Sequence, residues 1–181
     1  REDQRGEERC RLAGVLAVLL ALSLQADTVL VAGQSNAVLL GPFLSSPRIV
    51  IGASGAPIRA FGPQTPLGIA ADAALATRRI RAVVYWQGES DSTTPDYRVR
   101  LRELLTRWRT AAQNPTLPII LVRVLNLPAL RAIREAQEAF VNNDAHAILI
   151  STDGYQLRDE AHLTTEGYRV VAARVEAALK R

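Results

Sequence analysis

The chain has 181 residues, 48% hydrophobic and 22% charged, with a formal net charge of +4 and one cysteine. That length suits one ordinary domain, able to bury about two-thirds of its unfolded surface without disulfide or metal staples, and the composition excludes a disordered chain. Cys10, the lone thiol, precedes everything that reads as folded domain, so disulfides, zinc–cysteine sites and thiol catalysis are excluded from the part that follows.

The first feature in chain order is an apolar run from Leu12 to Leu24, with Arg1, Arg5, Arg9 and Arg11 before it and Leu24-Gln25-Ala26 as a cleavage-type end. At about 13 residues it has the length of a signal-peptide core and is too short to span a bilayer. Residues 1–26 therefore read as a signal peptide, or as an N-terminal anchor or buried helix given the unusual Glu2, Asp3, Glu7 and Glu8; residues 27–181 read as one domain. Export is the expectation, with no stable membrane insertion unless the N-terminal stretch is retained.

Short, β-branched-rich apolar runs follow at Thr28 to Ala32, Arg48 to Ile51, Ala82 to Tyr85, Ile119 to Val124 and Ala147 to Ile150. Such continuous runs fit parallel strands covered on both faces. Helical patterns lie between and after them: Pro66 to Arg79, with Ile69, Ala70, Ala73 and Ala74 as its apolar positions; Pro95 to Gln113, with Val99, Leu101, Leu104, Leu105 and Trp108; Ala129 to Asn142; and Thr165 to Lys180. Pro66 and Pro95 suit helix starts and Thr164-Thr165-Glu166 offers a capping hydroxyl. The alternation predicts an α/β fold, a three-layer αβα sandwich on a five-stranded parallel sheet. Arg98, Arg100, Arg102, Arg107 and Arg109, with Glu103 among them, read as a solvated helix face, and no nucleic-acid partner is implied.

In open parallel sheets ligands bind beyond the carboxyl ends of the strands. The loops there hold Gly33-Gln34-Ser35-Asn36, Gly52-Ala53-Ser54-Gly55, Gln87-Gly88-Glu89-Ser90-Asp91 and Asp159-Glu160-Ala161-His162. Each is weak alone, since Ser35 also reads as a turn or capping residue. Together they supply a hydroxyl, an imidazole and a carboxylate, the set that turns serine into a nucleophile: Ser35 attacking, His162 as base, Asp159 orienting its Nδ1. Gly55 either permits a tight turn or brings its N–H to an oxyanion. Gln87 either donates its amide to that oxygen or ties down its own loop. Glu89 stands between a catalytic and a loop-holding role, whereas Asp91 reads as loop-holding. With only His146 and His162 in the chain, no metal site is expected, and His146 reads as solvated. Arg59 and Trp86 fall near the same edge without an assignable contact.

The strings Gly33-Gln34-Ser35-Asn36, Trp86-Gln87-Gly88-Glu89-Ser90-Asp91 and Asp159-Glu160-Ala161-His162-Leu163 resemble the SGNH hydrolases, specifically carbohydrate esterases of the sialate O-acetylesterase and acetylxylan esterase type. The resemblance covers Asp27 to the C-terminus. It implies a flavodoxin-like sandwich, a Ser35–His162–Asp159 triad, an oxyanion hole of the Ser35 N–H, the Gly55 N–H and the Gln87 side chain, and Glu89 as an auxiliary acid. It implies no cofactor. Two departures are Gln87, where many of these enzymes carry Asn, and a short interval between Ser35 and Gly55. The expectation is a serine esterase that removes O-acetyl groups from a carbohydrate, sialate or polysaccharide, through an acyl-enzyme. The alternatives are a general short-chain carboxylesterase acting on small acyl esters, and a catalytically silent sugar-binding module on the same fold. A standard α/β-hydrolase fits less well, because Ala37 stands where the nucleophile elbow wants glycine.

Overall fold

The computed structural model describes residues 27–181; the N-terminal leader reading lies outside the described residues. Five parallel strands, β1 Thr28–Gly33, β2 Arg48–Gly52, β3 Ile80–Trp86, β4 Ile119–Val122 and β5 Ala147–Ile150, form one sheet in the order β2-β1-β3-β4-β5. The helices are α1 Ser35–Leu40, α2 Pro66–Thr77, α3 Tyr97–Ala111, α4 Arg131–Asn142 and α5 Thr165–Ala178. α2, α3 and α4 pack side by side on one face, and α1 meets α5 on the other. The chain steps from β1 outward to β2, then back past β1 to β3, so these first two crossovers fall on opposite faces, as a constant handedness requires.

The five expected strands and four expected helices are present, with instructive differences. β1, β3 and β4 are buried throughout apart from Thr28 and Arg81, whereas the edge strands β2 and β5 are only partly covered, Val50 being 39% exposed. β4 stops at Val122 instead of Val124, because the Val124 N–H turns to the Gln137 side-chain oxygen at 3.1 Å. α2 buries Gly68, Ala71 and Leu75 rather than the expected Ile69 face; Ile69 is exposed. Its orientation is set by Gly68, where a Cβ would lie 1.7 Å from the Gly62 carbonyl, and the Ala-rich sequence around it cannot specify a face. Val99 is likewise exposed on α3. α3 begins at Tyr97, two residues after Pro95, and α4 at Arg131, after a 3₁₀ turn over Pro128–Leu130. The Thr164 hydroxyl caps α5 by accepting the Gly167 N–H, as expected.

Adjacent residues at the end of β3 anchor both faces of the sheet. Tyr85, Trp108 and Phe61 pack edge to face, with ring centroids 5.3 to 6.1 Å apart, on the α3 side. Trp86 meets Tyr168 of α5 at 5.9 Å on the opposite side, as the alternation of a strand dictates. Each such pair contributes about 0.5–1.5 kcal/mol beyond its buried area. Of the arginine group, Arg98, Arg100 and Arg102 are solvated as expected, but Arg107 pairs with Asp72 and Arg109 with Asp144 in half-buried contacts. No helix among the described residues is long and apolar enough to cross a membrane.

β1 ends where the sheet can accept only glycine. Gly33 has φ +145°, and a Cβ there would lie 1.9 Å from the Trp86 carbonyl oxygen. Gly33→Ala should therefore destabilise the domain by about 3 kcal/mol or more, from backbone strain and overpacking together. Urea denaturation checks this; a variant with the wild-type midpoint would contradict it.

Candidate active site

β1 lies between β2 and β3, at the point where the direction of winding reverses, and the crevice beyond its carboxyl end is the predicted ligand position of such a sheet. Ser35 is the first residue of α1, just beyond that carboxyl end. As a first-turn residue it has no intrahelical acceptor for its N–H, and no other acceptor among the described residues takes it. The preceding residue is clamped on both sides. The Gln34 N–H donates to the Trp86 carbonyl at 3.1 Å, and its side-chain oxygen accepts the N–H groups of Gly88 and Ser90 at 3.3 Å.

The other two triad members come from the loop between β5 and α5. An antiparallel bridge between Leu157 and Leu163, with the Arg158 N–H on the His162 carbonyl at 2.8 Å, closes that loop into a narrow turn. Within it one Asp159 oxygen accepts the N–H groups of Ala161 and His162 at 3.0 and 2.9 Å. The same carboxylate lies 2.8 and 3.0 Å from His162 Nδ1, and Nε2 lies 3.0 Å from Ser35 Oγ. Three groups separated by up to 127 positions in sequence thus form one hydrogen-bonded relay. The Ala161 N–H, then the His162 ring and Arg158, hold the Asp159 carboxyl down to about 2.

Asn36, which the sequence reading placed in the Gly33–Asn36 string without giving it a role, joins the two halves of the site. Its side-chain amide donates to the Ala161 carbonyl at 2.9 Å and to Glu89 at 3.0 Å, and its oxygen accepts the Tyr168 hydroxyl. Burial pushes the Tyr168 phenol up to about 12, which keeps it a donor. The readable signal was Asn36 adjoining Ser35 behind a buried strand; its partners are too remote in sequence to infer.

Glu89 is brought beside the triad but bonded to Asn36 rather than to His162. Its second oxygen is sealed from solvent beside the Trp86 indole. Burial raises the Glu89 carboxyl above its ordinary value, with its own backbone N–H, Asn36 and the Trp86 indole opposing the rise. Asp159 is thus the acid bonded to the histidine.

Gln87 requires a correction to the expected oxyanion donor. It is fully buried, and its two amide hydrogens are committed to the Ala56 carbonyl, at 3.2 Å, and to the Asp91 carboxylate. Gly55 sits in the loop after β2 with φ +66°, exposed, and no acceptor among the described residues takes its N–H. Asp91 holds the loops together as expected, accepting the Ile58 N–H at 2.7 Å and the Thr94 hydroxyl at 2.8 Å. Trp86 is buried beneath the site, Arg59 is an exposed residue of the 3₁₀ turn Ile58–Phe61, and His146 is exposed just before β5, away from the carboxyl edge. The described residues contain no group of three or more His, Cys, Asp or Glu placed to hold a metal ion.

A five-stranded parallel sandwich with a Ser–His–Asp relay at the end of β1 is an arrangement that serine hydrolases use. A family model described as carbohydrate esterase, sialic acid-specific acetylesterase, matches residues 53–181, and the chain belongs to that family of esterases. Ser35 precedes the matched range and completes the relay from outside it. Among solved structures the chain is similar to a protein from Arabidopsis thaliana at 23% identity and TM-score 0.64, over 81% of this chain and 67% of that one. It is similar to a carbohydrate acetylesterase from Xanthomonas citri at 16% identity and TM-score 0.68, over 85% of this chain and 55% of that one. A family two carbohydrate esterase from Clostridium thermocellum, in complex with cellohexaose, aligns at 14% identity and TM-score 0.61, over 85% of this chain and 63% of that one. The chain thus spans only 55% to 67% of the length of these three proteins. No curated protein sequence matches it.

The raised Glu89 gives a pH test. The folded chain holds this proton more tightly than the unfolded chain, so the contribution favours folding below the ordinary carboxyl value and is lost as pH rises through the raised one. Glu89→Gln removes that dependence. Its melting temperature relative to wild type should increase between about pH 4 and pH 8; a constant difference would contradict the assignment.

Proposed function

We propose that the chain is a serine acetylesterase that removes O-acetyl groups from a carbohydrate through an acyl-enzyme. The observation that carries this reading is the relay itself, with Ser35 Oγ 3.0 Å from His162 Nε2 and Nδ1 2.8 Å from Asp159. Attack by Ser35 on the acetyl carbonyl transfers its proton to His162, and the ionised Asp159 balances the imidazolium and fixes its tautomer. The negative oxygen of the tetrahedral intermediate is received by the free N–H groups of Ser35 and Gly55. Collapse releases the sugar hydroxyl, which takes its proton from His162 Nε2, and leaves acetyl-Ser35. Water, deprotonated by the same nitrogen, then frees acetate and restores the serine.

Acetylated carbohydrate as the substrate class is supported by the family description and by the openness of the relay. The Asp159 side chain is 45% exposed, so the site has no deep channel on that side to exclude a bulky glycan. Nothing in the steps above calls for a cofactor.

Steady-state hydrolysis of p-nitrophenyl acetate and butyrate tests the reading. Ser35→Ala and His162→Ala should each lower kcat by about a thousandfold or more while the fold survives. Acetate should be the better ester. Asp159→Asn should lower kcat at neutral pH; because Asp159 is held to about 2, its protonation contributes nothing to any loss of activity near pH 5. Activity unchanged in Ser35→Ala would overturn the mechanism, and sugar binding with no hydrolysis by wild type would favour the silent module.

A further inference from the structure

We infer that Gln87 and Asp91 are positioning residues, a buried amide–carboxylate pair that sets the Gly55 N–H from behind instead of touching the reacting oxygen. The inference rests on the acyl-transfer reading above, in which Gly55 is an oxyanion donor. Gly55 is the third residue of a β-turn closed by the Ala56 N–H on the Ala53 carbonyl at 3.2 Å, a turn whose third position takes a positive φ. On its near side the turn leaves β2 at Gly52, which is in register with Gly33. On its far side both fixed points belong to the β3 loop. Gln87 Nε2 donates to the Ala56 carbonyl at 3.2 Å, and Asp91 accepts the Ile58 N–H at 2.7 Å.

Those fixed points are themselves immobilised. The Gln87 amide donates its other hydrogen to the Asp91 oxygen that holds Ile58, and its side-chain oxygen accepts the Tyr85 hydroxyl at 3.3 Å. Its backbone carbonyl accepts the Tyr97 hydroxyl at 3.0 Å and the Gln137 amide at 3.1 Å. The second Asp91 oxygen accepts the Thr94 hydroxyl. Asp91 is 1% exposed, and Gln87 and Gln137 are wholly buried. An amide has two hydrogens, and both are spoken for, so Gln87 has none to give the oxyanion. What it controls is the direction of the Ala56 carbonyl, one residue beyond the N–H that matters. Buried and fully bonded, such a network fixes one geometry.

The test compares Gln87→Met, Asp91→Ala, Asp91→Asn and the Gln87→Met/Asp91→Ala double variant in p-nitrophenyl acetate hydrolysis, with the Ile58 amide followed by hydrogen exchange. Gln87→Met and Asp91→Ala should each lower kcat by about a hundredfold, as a small misplacement of a donor does, with KM moved by only a few-fold. The double variant should be no worse than either single one, because the two residues act as one unit. Asp91→Asn should recover most of the loss, since its carbonyl oxygen can accept Ile58 and Gln87 while its amide donates to Thr94. In Gln87→Met the Ile58 amide should exchange faster.

An unimpaired Asp91→Ala beside an impaired Gln87→Met would make Gln87 a direct donor and overturn the inference, as would losses that multiply in the double variant. If Asp91→Ala does not fold, unchanged Ile58 exchange in Gln87→Met overturns it. If wild type shows no hydrolysis, the esterase reading fails, and the exchange of Ile58 still decides the positioning claim.

Discussion

The parallel pairing of β1 with β3 brings Gly33 against Trp86 at its carboxyl end, and the site is built outward from that contact. Without a side chain at Gly33 the two backbones close to a distance that lets Gln34 bond the Trp86 carbonyl and reach across to the N–H groups of Gly88 and Ser90. The Ser35 loop and the Gln87–Asp91 loop are therefore hydrogen-bonded into one unit. Ser35 gains a fixed backbone from the sheet, while its hydroxyl, the first on α1, stays clear of any capping bond.

Asn36 and Asp159 complete the geometry by different physics. Asn36 works from inside: with both amide hydrogens and its oxygen bonded to Glu89, Ala161 and Tyr168, it ties the His162 loop to α1 and α5 from one buried side chain. Asp159 works at the surface, where backbone N–H groups of its own turn hold it ionised and aimed at Nδ1. Histidine orientation thus comes from a short local turn, and the placement of that turn comes from a long-range amide. A solvent-facing acid costs little to keep charged, whereas the sealed Glu89 resists ionisation.

Much of this was readable in the chain. Continuous β-branched runs marked the five strands, and the rule that ligands gather at their carboxyl ends selected the loops bearing Ser35, Gly55, Gln87 and His162. The edges were less legible, because an apolar run such as Arg48 to Ile51 does not tell whether a neighbour covers it. Helix α1 escaped because six residues span fewer than two turns and carry no usable periodicity. The α2 face was misread because alanine on every side leaves orientation to Gly68, whose close approach to the Gly62 carbonyl is a tertiary fact. Gln87 was legible as a site residue with two roles open, oxyanion donor or loop tie: sequence shows an amide beyond a strand, but the Ala56 and Asp91 acceptors that decide between them are set by the fold.

The central claim is that Ser35, activated by His162, is the nucleophile. It is tested most directly by treating the protein with a fluorophosphonate and locating the adduct by mass spectrometry of its peptides, for wild type and His162→Ala. The account predicts one adduct, on Ser35, formed readily by wild type and not by His162→Ala; an adduct on another residue, or equal labelling of both proteins, would contradict it.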